Sequence, residues 1–514
     1  MTLHFYSPKA YGYVRKAFDT CLPHPKTLAK WHTSVDGKPG FSQTALSAIA
    51  TRVEAEKQQN KDVVCALMFD EVALRQQVDF NGIDYSGFID MGTQMDDDSL
   101  PLAKEALVFM VTSVNSNWKM PIGYFLIAGL NGEERKNLLL SCLSKLHEIG
   151  VQIVSVTHDG QAANQSMLKL LGVFVNEDGS ICSSFPHPET KMPVVVFLDP
   201  CHMLKLVRNT LGSKGCLWAG SSTVKWDYIS SLHKLQEAEG LHTGNKLRAN
   251  HIAWHKKKMN VKLAAQTLSE SVAKSLEFCL NEGLEQFQGC EETVKFIEIF
   301  NALFDILNSR NLRSYGWKAP MSSHNYVVYL DFLQKAKLYI LSLCESKNGQ
   351  KLITGCRKTG FVGFLICINS AISLYSTLVQ SGQVKFLLMY KFSQDHIELF
   401  FGKVRSMFGC NNNPTSRQFS SAFRKLLMHN EIQDVARGNC VPLETIPVLT
   451  ASSSYKHICN EDMDVPSVSA INVSLEKKNL LEDFCTDHTY SVSTSSYQLE
   501  KIIAYIAGFQ LCCL

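Results

Sequence analysis

Two aspartates stand where carboxylates could share divalent cations. Asp70 and Asp159 each close an apolar run, residues 63–69 and 151–156, that has the character of a buried strand. Carboxylates at strand ends can lie side by side in a sheet, and oxygen ligands suit Mg²⁺. Such a pair can hold two ions about 3.5–4 Å apart, one activating an attacking oxygen and one stabilising a leaving oxygen. The competing interpretation is that strand-end Asp residues form turns or caps, as they commonly do.

A third acid, Glu398, belongs to residues 393–405, which have the apolar periodicity of a helix. Helical spacing places Glu398 on one face with Asp395 and Arg405. The other face is apolar and consists of Ile397, Phe400, Phe401 and Val404. We expect the apolar face to pack on the sheet, which would leave Glu398 free to reach the metals. Asp-x-x-Glu is also a frequent pattern in ordinary helices.

Basic residues follow Glu398 with no acid up to residue 430: Lys403, Arg405, Arg417, Arg424 and Lys425. Contacts to a phosphate backbone require such groups beside a metal site, so we predict that these residues bind DNA. A pair of solvated helices is the competing interpretation. A second basic cluster, residues 255–258 with Lys262, is a weaker candidate because no acidic site adjoins it.

Composition limits the class of protein. The chain has 514 residues, of which 45% are hydrophobic, so wholesale disorder is excluded. The 51 basic and 48 acidic residues give a net charge of only +3, so any nucleic-acid surface must be local. The 17 cysteines form no Cys-x-x-Cys pair, and no secretory signal is evident, which favours reduced thiols inside the cell. Residues 360–383 carry no charge and are better explained by a buried amphipathic helix than by a membrane span.

The order of predicted elements indicates an α/β fold. Strands are predicted over residues 63–69, 83–91, 106–114 and 122–128, followed by a helix over 133–149, a strand over 151–156, a helix over 162–171 and a strand over 194–198. An antiparallel meander followed by parallel βα units is the pattern of the ribonuclease-H-like fold. Helices at 25–31 and 42–57 precede it and resemble a helix-turn-helix, although a plain packing hairpin has the same pattern.

After residue 199 the pattern is helical for nearly two hundred residues, with segments at 226–239, 261–280, 293–307 and 326–345. We therefore divide the chain into five parts: a helix-turn-helix-like segment (1–60), the first part of a ribonuclease-H-like domain (61–210), a mostly helical insertion (211–375), the second part of that domain with Glu398 (376–440), and a Ser/Thr-rich linker and tail (441–514).

At these residues the sequence resembles the P-element transposase family, which includes transposase-like proteins with a THAP zinc module. Five short motifs carry the resemblance in the same order: residues 69–71, 157–160, 198–206, 258–266 and 393–414. The resemblance implies a ribonuclease-H-like domain interrupted by an insertion. It also implies that Asp70, Asp159 and Glu398 form a catalytic Asp-Asp-Glu triad that binds Mg²⁺ or Mn²⁺. No Cys/His set matches the zinc module, so we expect that module to be missing.

The resemblance further implies that the insertion binds GTP, through Asp199, Lys205, Phe304, Asp305, Asn308 and Asp395. No GxxxxGK[ST] phosphate loop is present, so the residues alone would not suggest a nucleotide. Their chemistry is suitable, because a carboxylate can accept from the guanine N1 and N2 groups, Lys205 can contact phosphate and Phe304 can stack.

The function implied by the resemblance is that of a DNA transposase. Its partners would be transposon ends and target DNA, and we expect a nuclear protein that forms a homo-oligomer, with no membrane partner. The first alternative is a catalytically silent, host-retained DNA-binding or regulatory protein derived from a transposase. A guanine-nucleotide switch without DNA chemistry is the second alternative, and the missing phosphate loop disfavours it.

Overall fold

The computed structural model describes residues 8–32, 37–80, 82, 85–92, 100–240, 243–347, 349–408 and 411–428. Apart from residues 235–244, these belong to one compact unit. The predicted Ser/Thr-rich linker and tail (441–514) lie outside the described residues.

A seven-stranded mixed sheet forms the core that holds the candidate site. In spatial order its strands are β1 (Gly40–Phe41), β6 (Lys119–Ile127), β5 (Glu105–Ser113), β2 (Val63–Ala73), β7 (Val151–His158), β11 (Pro193–Leu198) and β10 (Ser184–Pro186). Strands β5 and β6 are antiparallel neighbours, and β2 is antiparallel to β5. Strand β2 is parallel to β7, and β7 is parallel to β11. Because the residues of β2, β5 and β6 are almost all buried on both faces, these strands are continuous apolar runs.

The helices of this first half are α1 (Pro8–Ala17), α2 (Pro25–His32), α3 (Gln43–Lys57), α4 (Gly132–Glu148), α5 (Ala162–Leu170) and α6 (Pro200–Lys214). Their starts follow local signals. Ser42 caps α3 by accepting from the Ala45 N–H at 3.3 Å, and Asn131 with Glu134 forms a capping box at the start of α4. Helix α3 packs on β6, and α4 packs on β7 and α5. Two small ladders also occur: β3 (Asp79–Phe80) with β4 (Tyr85–Ser86), and β8 (Phe174–Val175) with β9 (Ile181–Cys182).

The described residues between 216 and 344 are mainly helical and supply no strand to the seven-stranded sheet. The helices are α7 (Trp226–Glu239), α8 (Ala249–Ile252), α9 (Val261–Thr267), α10 (Glu270–Asn281), α11 (Glu291–Leu307) and α12 (Tyr326–Ser342). Strands β12 (Cys216–Ala219), β13 (Ser222–Lys225) and β15 (Leu343–Cys344) form a separate small sheet, and β14 (Met321–Ser322) pairs with β16 (Phe386–Leu387). The boundaries 211–375 for the insertion stay a prediction.

The apolar segment predicted at residues 360–383 forms helix α13 (Thr359–Leu374), which continues as a π-helical turn (Tyr375–Gln380). By length and a mean hydropathy of 1.8 it could cross a membrane, but most of it is buried inside the protein. It packs on β11, where the Ser370 hydroxyl donates to the Val196 carbonyl at 2.6 Å. Gly363 permits close approach to α6, because a Cβ there would lie 2.1 Å from the Met203 sulfur. These contacts identify a core helix.

Three predicted elements differ from the structure. The antiparallel partner of β2 is β5, and the described part of 83–91 contributes the two-residue strand β4 instead. The helix predicted over 261–280 is two helices, because Leu268 leaves the helical conformation and Ser269 starts α10. Helix α3, which we paired with α2 as a helix-turn-helix, instead buries Ala45, Ile49 and Val53 against the sheet.

The last two helices complete the described chain: α14 (Asp395–Ser406) and α15 (Ser416–Leu427). Helix α14 packs on β2 and β5, and α15 packs on β6. In α15, Phe419 and Phe423 contact the ring of Tyr124 at centroid distances of 5.0 and 4.7 Å. The contacts of α14 with β2 and β5 show that the apolar face predicted for residues 393–405 packs on the sheet. The polar face of the same helix lies toward the strand ends.

Candidate active site

Three aspartates form a row across the carboxyl edge of the parallel strands. Met68 of β2 pairs with Thr157 of β7, so Asp70 and Asp159 are two residues further along at the same level. The prediction that Asp70 ends its strand was wrong, because pairing with β5 continues β2 to Ala73. Leu198 of β11 pairs with His158, which brings Asp199 beside Asp159. Register thus places Asp70, Asp159 and Asp199 on neighbouring strands. Gly160, at φ +81°, then turns the chain away from the sheet.

Within the predicted triad, Asp70 lies within electrostatic reach of both Asp159 and Glu398. Asp70 is 9% exposed, and burial raises the pKa of its carboxyl well above the usual value, with further increases from the charges of Glu398 and Asp159. Burial also raises the pKa of Glu398, although His202, Arg405 and Lys205 partly offset it. Carboxylates that repel one another in a buried site lower the cost of binding a cation there.

Glu398 is positioned by the segment immediately before α14, which is anchored to the ends of two strands and to α6. The Thr157 hydroxyl donates to the Phe392 carbonyl at 2.7 Å, and the Gln394 side-chain amide donates to the Phe69 carbonyl at 3.1 Å. The Gln394 backbone N–H donates to Asp199 at 3.2 Å. These bonds tie the start of α14 to β2, to β7 and to the start of α6, so the helix presents Glu398 at the same sheet edge as Asp70.

Asp199 and Asp395, predicted as GTP contacts, lie together under this segment. Asp199 caps α6 by accepting from the His202 N–H at 2.9 Å and pairs with the His202 ring at 2.8 Å. Although burial opposes it, these hydrogen bonds lower the pKa of Asp199. In the described part of the chain, Asp199, Cys201 and Asp395 are the one group of three metal-ligating side chains whose ligand atoms all lie within 4.8 Å of one another.

The triad is therefore spaced more widely than this cluster. Its donor set still fits a magnesium-type ion, because Asp70, Asp159 and Glu398 offer only carboxylate oxygens, and burial and the neighbouring negative charges that raise the pKa of Asp70 would be offset by a cation. By contrast, Asp395 already pairs with Arg310 and Asp199 is fully engaged as a cap.

The remaining predicted GTP contacts are divided between the end of α11 and α6. Asp305 accepts from Asn301 at 3.2 Å and lies 3.8 Å from the Lys318 ammonium. Burial raises its pKa to about 6, although Lys318 opposes the shift. Lys205 is buried and faces the charges of Asp199 and Glu398.

Asn308 is the C-cap of α11 rather than a residue within it. Its side-chain oxygen accepts from the Arg310 guanidinium at 2.9 Å, and Arg310 also pairs with Asp395 at the start of α14. Arg310 therefore connects the end of α11, in the predicted insertion, to the helix that carries Glu398. Phe304 is half-buried one turn before Asn308.

The five basic residues proposed to contact DNA differ in exposure. Arg417 is exposed, whereas Arg405, Arg424 and Lys425 are half-buried. Lys403 is 7% exposed, and burial lowers the pKa of its amine. Arg424 packs against Gly37, where a Cβ would lie 2.7 Å from its side chain. Lys403 and Arg424 thus have packing roles that the charge pattern did not reveal.

Sequence reasoning missed Gln394 and Arg310. Both contact residues that are far away along the chain, Phe69 for Gln394 and Asp395 for Arg310, so no local spacing pointed to them. The one available signal was position, since Gln394 lies directly before the predicted Asp395–Glu398 face.

Four family models match the chain. "Transposable element P transposase-like, HTH domain" matches residues 1–31, "TNP-like, RNase H N-terminal domain" 37–172, "TNP-like, GTP-binding insertion domain" 201–320, and "TNP-like, RNase H C-terminal domain" 390–424. The predicted fold, a ribonuclease-H-like domain interrupted by a GTP-binding insertion, is confirmed. The helix-turn-helix match covers α1 and α2, whereas we had paired α2 with α3.

Two relatives and one solved structure are similar to the chain. DNA transposase THAP9 of Homo sapiens is 33% identical over 439 residues, covering 84% of this chain and 48% of that protein. Transposable element P transposase of Drosophila melanogaster is 26% identical and covers 86% of this chain and 54% of that protein. The chain thus spans about half the length of these curated relatives. The Drosophila P element transposase strand transfer complex shares 25% identity with a TM-score of 0.69, covering 82% of this chain and 88% of that one.

Proposed function

The chain belongs to the P-element transposase family, and we propose that it is the core of a DNA transposase that cleaves and joins phosphodiester bonds. The observation that supports the proposal is that Asp70 and Asp159 lie at the same level on adjacent strands of a ribonuclease-H-like sheet, with Asp70 within electrostatic reach of Glu398. A nuclear location and a homo-oligomer that brings two DNA ends together belong to the same proposal.

The two proposed reactions are in-line displacements at phosphorus. In the first, a water oxygen bonds to the phosphorus at the element end, the bond to the 3′ oxygen breaks, and that oxygen leaves as a hydroxyl. In the second, this 3′ hydroxyl attacks a target phosphodiester and displaces its 3′ oxygen. A divalent cation at this site would activate the attacking oxygen and stabilise the leaving oxygen.

The residues of this chain would contribute position and charge. Asp70 and Asp159 would hold the cation from adjacent strands, and Glu398 would complete the site from α14. Lys205 and His202 face Glu398 and supply positive charge beside it. The Asp199 contact raises the pKa of His202, although burial opposes the shift, so this imidazole gains proton affinity next to the carboxylates.

A direct assay tests the proposal. Purified protein should cut a duplex with a transposon end when Mg²⁺ or Mn²⁺ is present, should stop when EDTA removes the ion, and should transfer the new 3′ end to target DNA. Binding of end-containing DNA without cutting, under every metal and GTP condition, would instead favour the catalytically silent DNA-binding protein.

We also propose that the chain binds GTP near the end of α11, with Asp305 accepting from the guanine base and Phe304 stacking on it. The match to a GTP-binding insertion domain at residues 201–320 supports this, since both residues fall within it. With a pKa of about 6, Asp305 is mostly ionised at neutral pH and can accept two donors.

An Asp305→Ala variant should bind GTP about 10–100-fold more weakly, because hydrogen bonds to a charged acceptor contribute roughly 1.5–3 kcal/mol. Direct titration with GTP measures the effect, and the exposed Asp227→Ala on α7 is the matched control. If the variant and the parent bind GTP equally well, or if the parent binds ATP as well as GTP, Asp305 does not recognise the guanine base.

A further inference from the structure

Asp159 is supported by a row of buried polar side chains that ends at Glu71. The Asn164 side-chain N–H donates to Asp159 Oδ1 at 3.0 Å, and the Asn164 side-chain oxygen accepts from the Arg135 guanidinium at 2.9 Å. Arg135 in turn pairs with Glu71, the residue after Asp70 on β2. Asn164 is 1% exposed and Arg135 is 5% exposed. We call Glu71, Arg135 and Asn164 the Asp159 relay.

We propose that Asn164, oriented by Arg135, is a positioning residue that aims the Asp159 carboxylate at the metal site. The inference rests on the proposed function, because it assumes that Asp159 is a metal ligand. Asn164 and Arg135 lie outside the five motifs of the resemblance, and their roles follow from geometry alone.

The orientation of the Asn164 amide is determined by its neighbours. An amide has one acceptor side and one donor side, and a guanidinium can only donate. Because Arg135 occupies the acceptor side, the NH₂ group must face Asp159. Arg135 is itself held by its pair with Glu71 and by donating to the Leu130 carbonyl at 3.3 Å. The row therefore has one consistent direction of donation, from Arg135 through Asn164 to Asp159.

This donation selects one oxygen of Asp159. The Gln161 backbone N–H also donates to Oδ1, at 3.0 Å, so Oδ1 accepts two hydrogen bonds. Among the described residues, none donates to Oδ2. The second oxygen is thus the one left for a cation, and rotation of the carboxylate would break both bonds to the first. Partners that orient a metal-binding carboxylate in this way typically change metal affinity 10–100-fold when removed.

The relay also connects the two strands that carry the aspartates. Glu71 follows Asp70 on β2. Asn164 lies on α5, the helix that directly follows Asp159 along the chain. Side chains at positions 70 and 71 point to opposite faces of the strand, so the relay holds Asp159 without competing with Asp70 for the cation. A purely structural ion pair between Glu71 and Arg135 would not require Asn164 to contact Asp159.

The test measures Mn²⁺ binding directly, by titration monitored with electron paramagnetic resonance, in the absence of DNA. We expect Asn164→Leu, which is similar in size but cannot donate, to weaken Mn²⁺ binding about 10–100-fold. Asn176→Leu, at an exposed asparagine bonded to Ser180, is the matched control and should bind as the parent does. Arg135→Lys keeps the charge beside Glu71 but loses the planar fork, so a loss of about tenfold is expected even if Asn164→Leu fails to fold.

The outcomes separate the two levels of the argument. If the parent binds Mn²⁺, Asp159→Asn abolishes that binding, and both relay variants still bind as tightly as the parent, then the positioning inference fails alone. If Asp159→Asn binds Mn²⁺ like the parent, or the parent binds none, the proposed metal site fails and the inference fails with it. Weaker binding by the folded relay variants, with the Asn176→Leu control unchanged, is the expected result.

Discussion

A Glu398→Gln variant should cleave and join DNA on the order of a thousandfold more slowly than the parent chain. The loss follows because glutamine cannot supply the charge that completes the site, and metal-site electrostatics contribute several kcal/mol to such reactions. The fold should survive. The pKa of Glu398 is raised in the folded protein, so its ionised form is less favourable there than in the unfolded chain at neutral pH. Removing that charge should leave the free energy of unfolding unchanged or higher.

Single-turnover cleavage of an end-containing duplex at saturating Mg²⁺ measures the effect, with thermal unfolding recorded on the same samples. Glu54→Gln, at an exposed glutamate on α3, is the control and should retain the parent rate. If the Glu398→Gln protein cuts at the parent rate, Glu398 is not a catalytic residue, whatever the geometry of the other two acids.

Replacement of Arg310 by methionine is expected to lower the free energy of unfolding by roughly 3 kcal/mol. The change would leave the Asp395 carboxylate, which is 4% exposed, without its guanidinium partner. Breaking a buried pair by removing one member costs about 3–5 kcal/mol, because a buried charge remains uncompensated. We expect the lower end of that range, since Lys119 also faces Asp395.

Equilibrium urea denaturation followed by circular dichroism is the measurement. The double variant Arg310→Met/Asp395→Asn removes both charges and should recover most of the loss. Lys335→Met is the matched control, because Lys335 and Asp331 form an exposed pair on α12 that should contribute less than about 1 kcal/mol. If the single Arg310 variant is as stable as the control, Asp395 is not held by this pair in solution.

Loss of Arg310 should also affect the start of α14, and with it Glu398. Asp395 is the first residue of this helix, and Glu398 is one turn further along. The Arg310 contact to Asn308 reaches the C-cap of α11, which lies within the region matched by the GTP-binding insertion domain. This contact is a physical connection through which nucleotide bound at α11 could influence the third carboxylate.

Local signals in the sequence predicted most of the framework. The helix predicted over 42–57 begins where Ser42 caps α3, because a side-chain cap needs only residues three positions apart. The apolar runs of β2 and β7 were predicted from the burial pattern over a few residues, and they correctly placed Asp159 directly after its strand. Asp70 was also expected to end its strand, but pairing with β5 continues β2 to Ala73. The apolar face at 393–405 predicted how α14 would pack, and hence the direction of Glu398. The strand predicted from alternation at 83–91 is present only in part, as β4 and as single bridges at Phe88 and Asp90, since alternation in a glycine-containing segment does not specify a partner.

Contacts between residues distant along the chain could be decided only by the tertiary structure. The register that aligns Asp70 with Asp159 results from pairing between β2 and β7, which are separated by strands β3 to β6 and helix α4 along the chain. Gln394 contacts Phe69, Arg310 contacts Asp395, and Arg135 contacts Glu71, and each pair joins different elements. Lys403, whose charge suggested DNA binding, is buried by packing that its neighbours do not reveal. The acid types and the strands near them were thus determined by short-range preferences of the sequence. Where β2 ends, and which partners the acids contact, depend instead on which remote segments the folded core brings together.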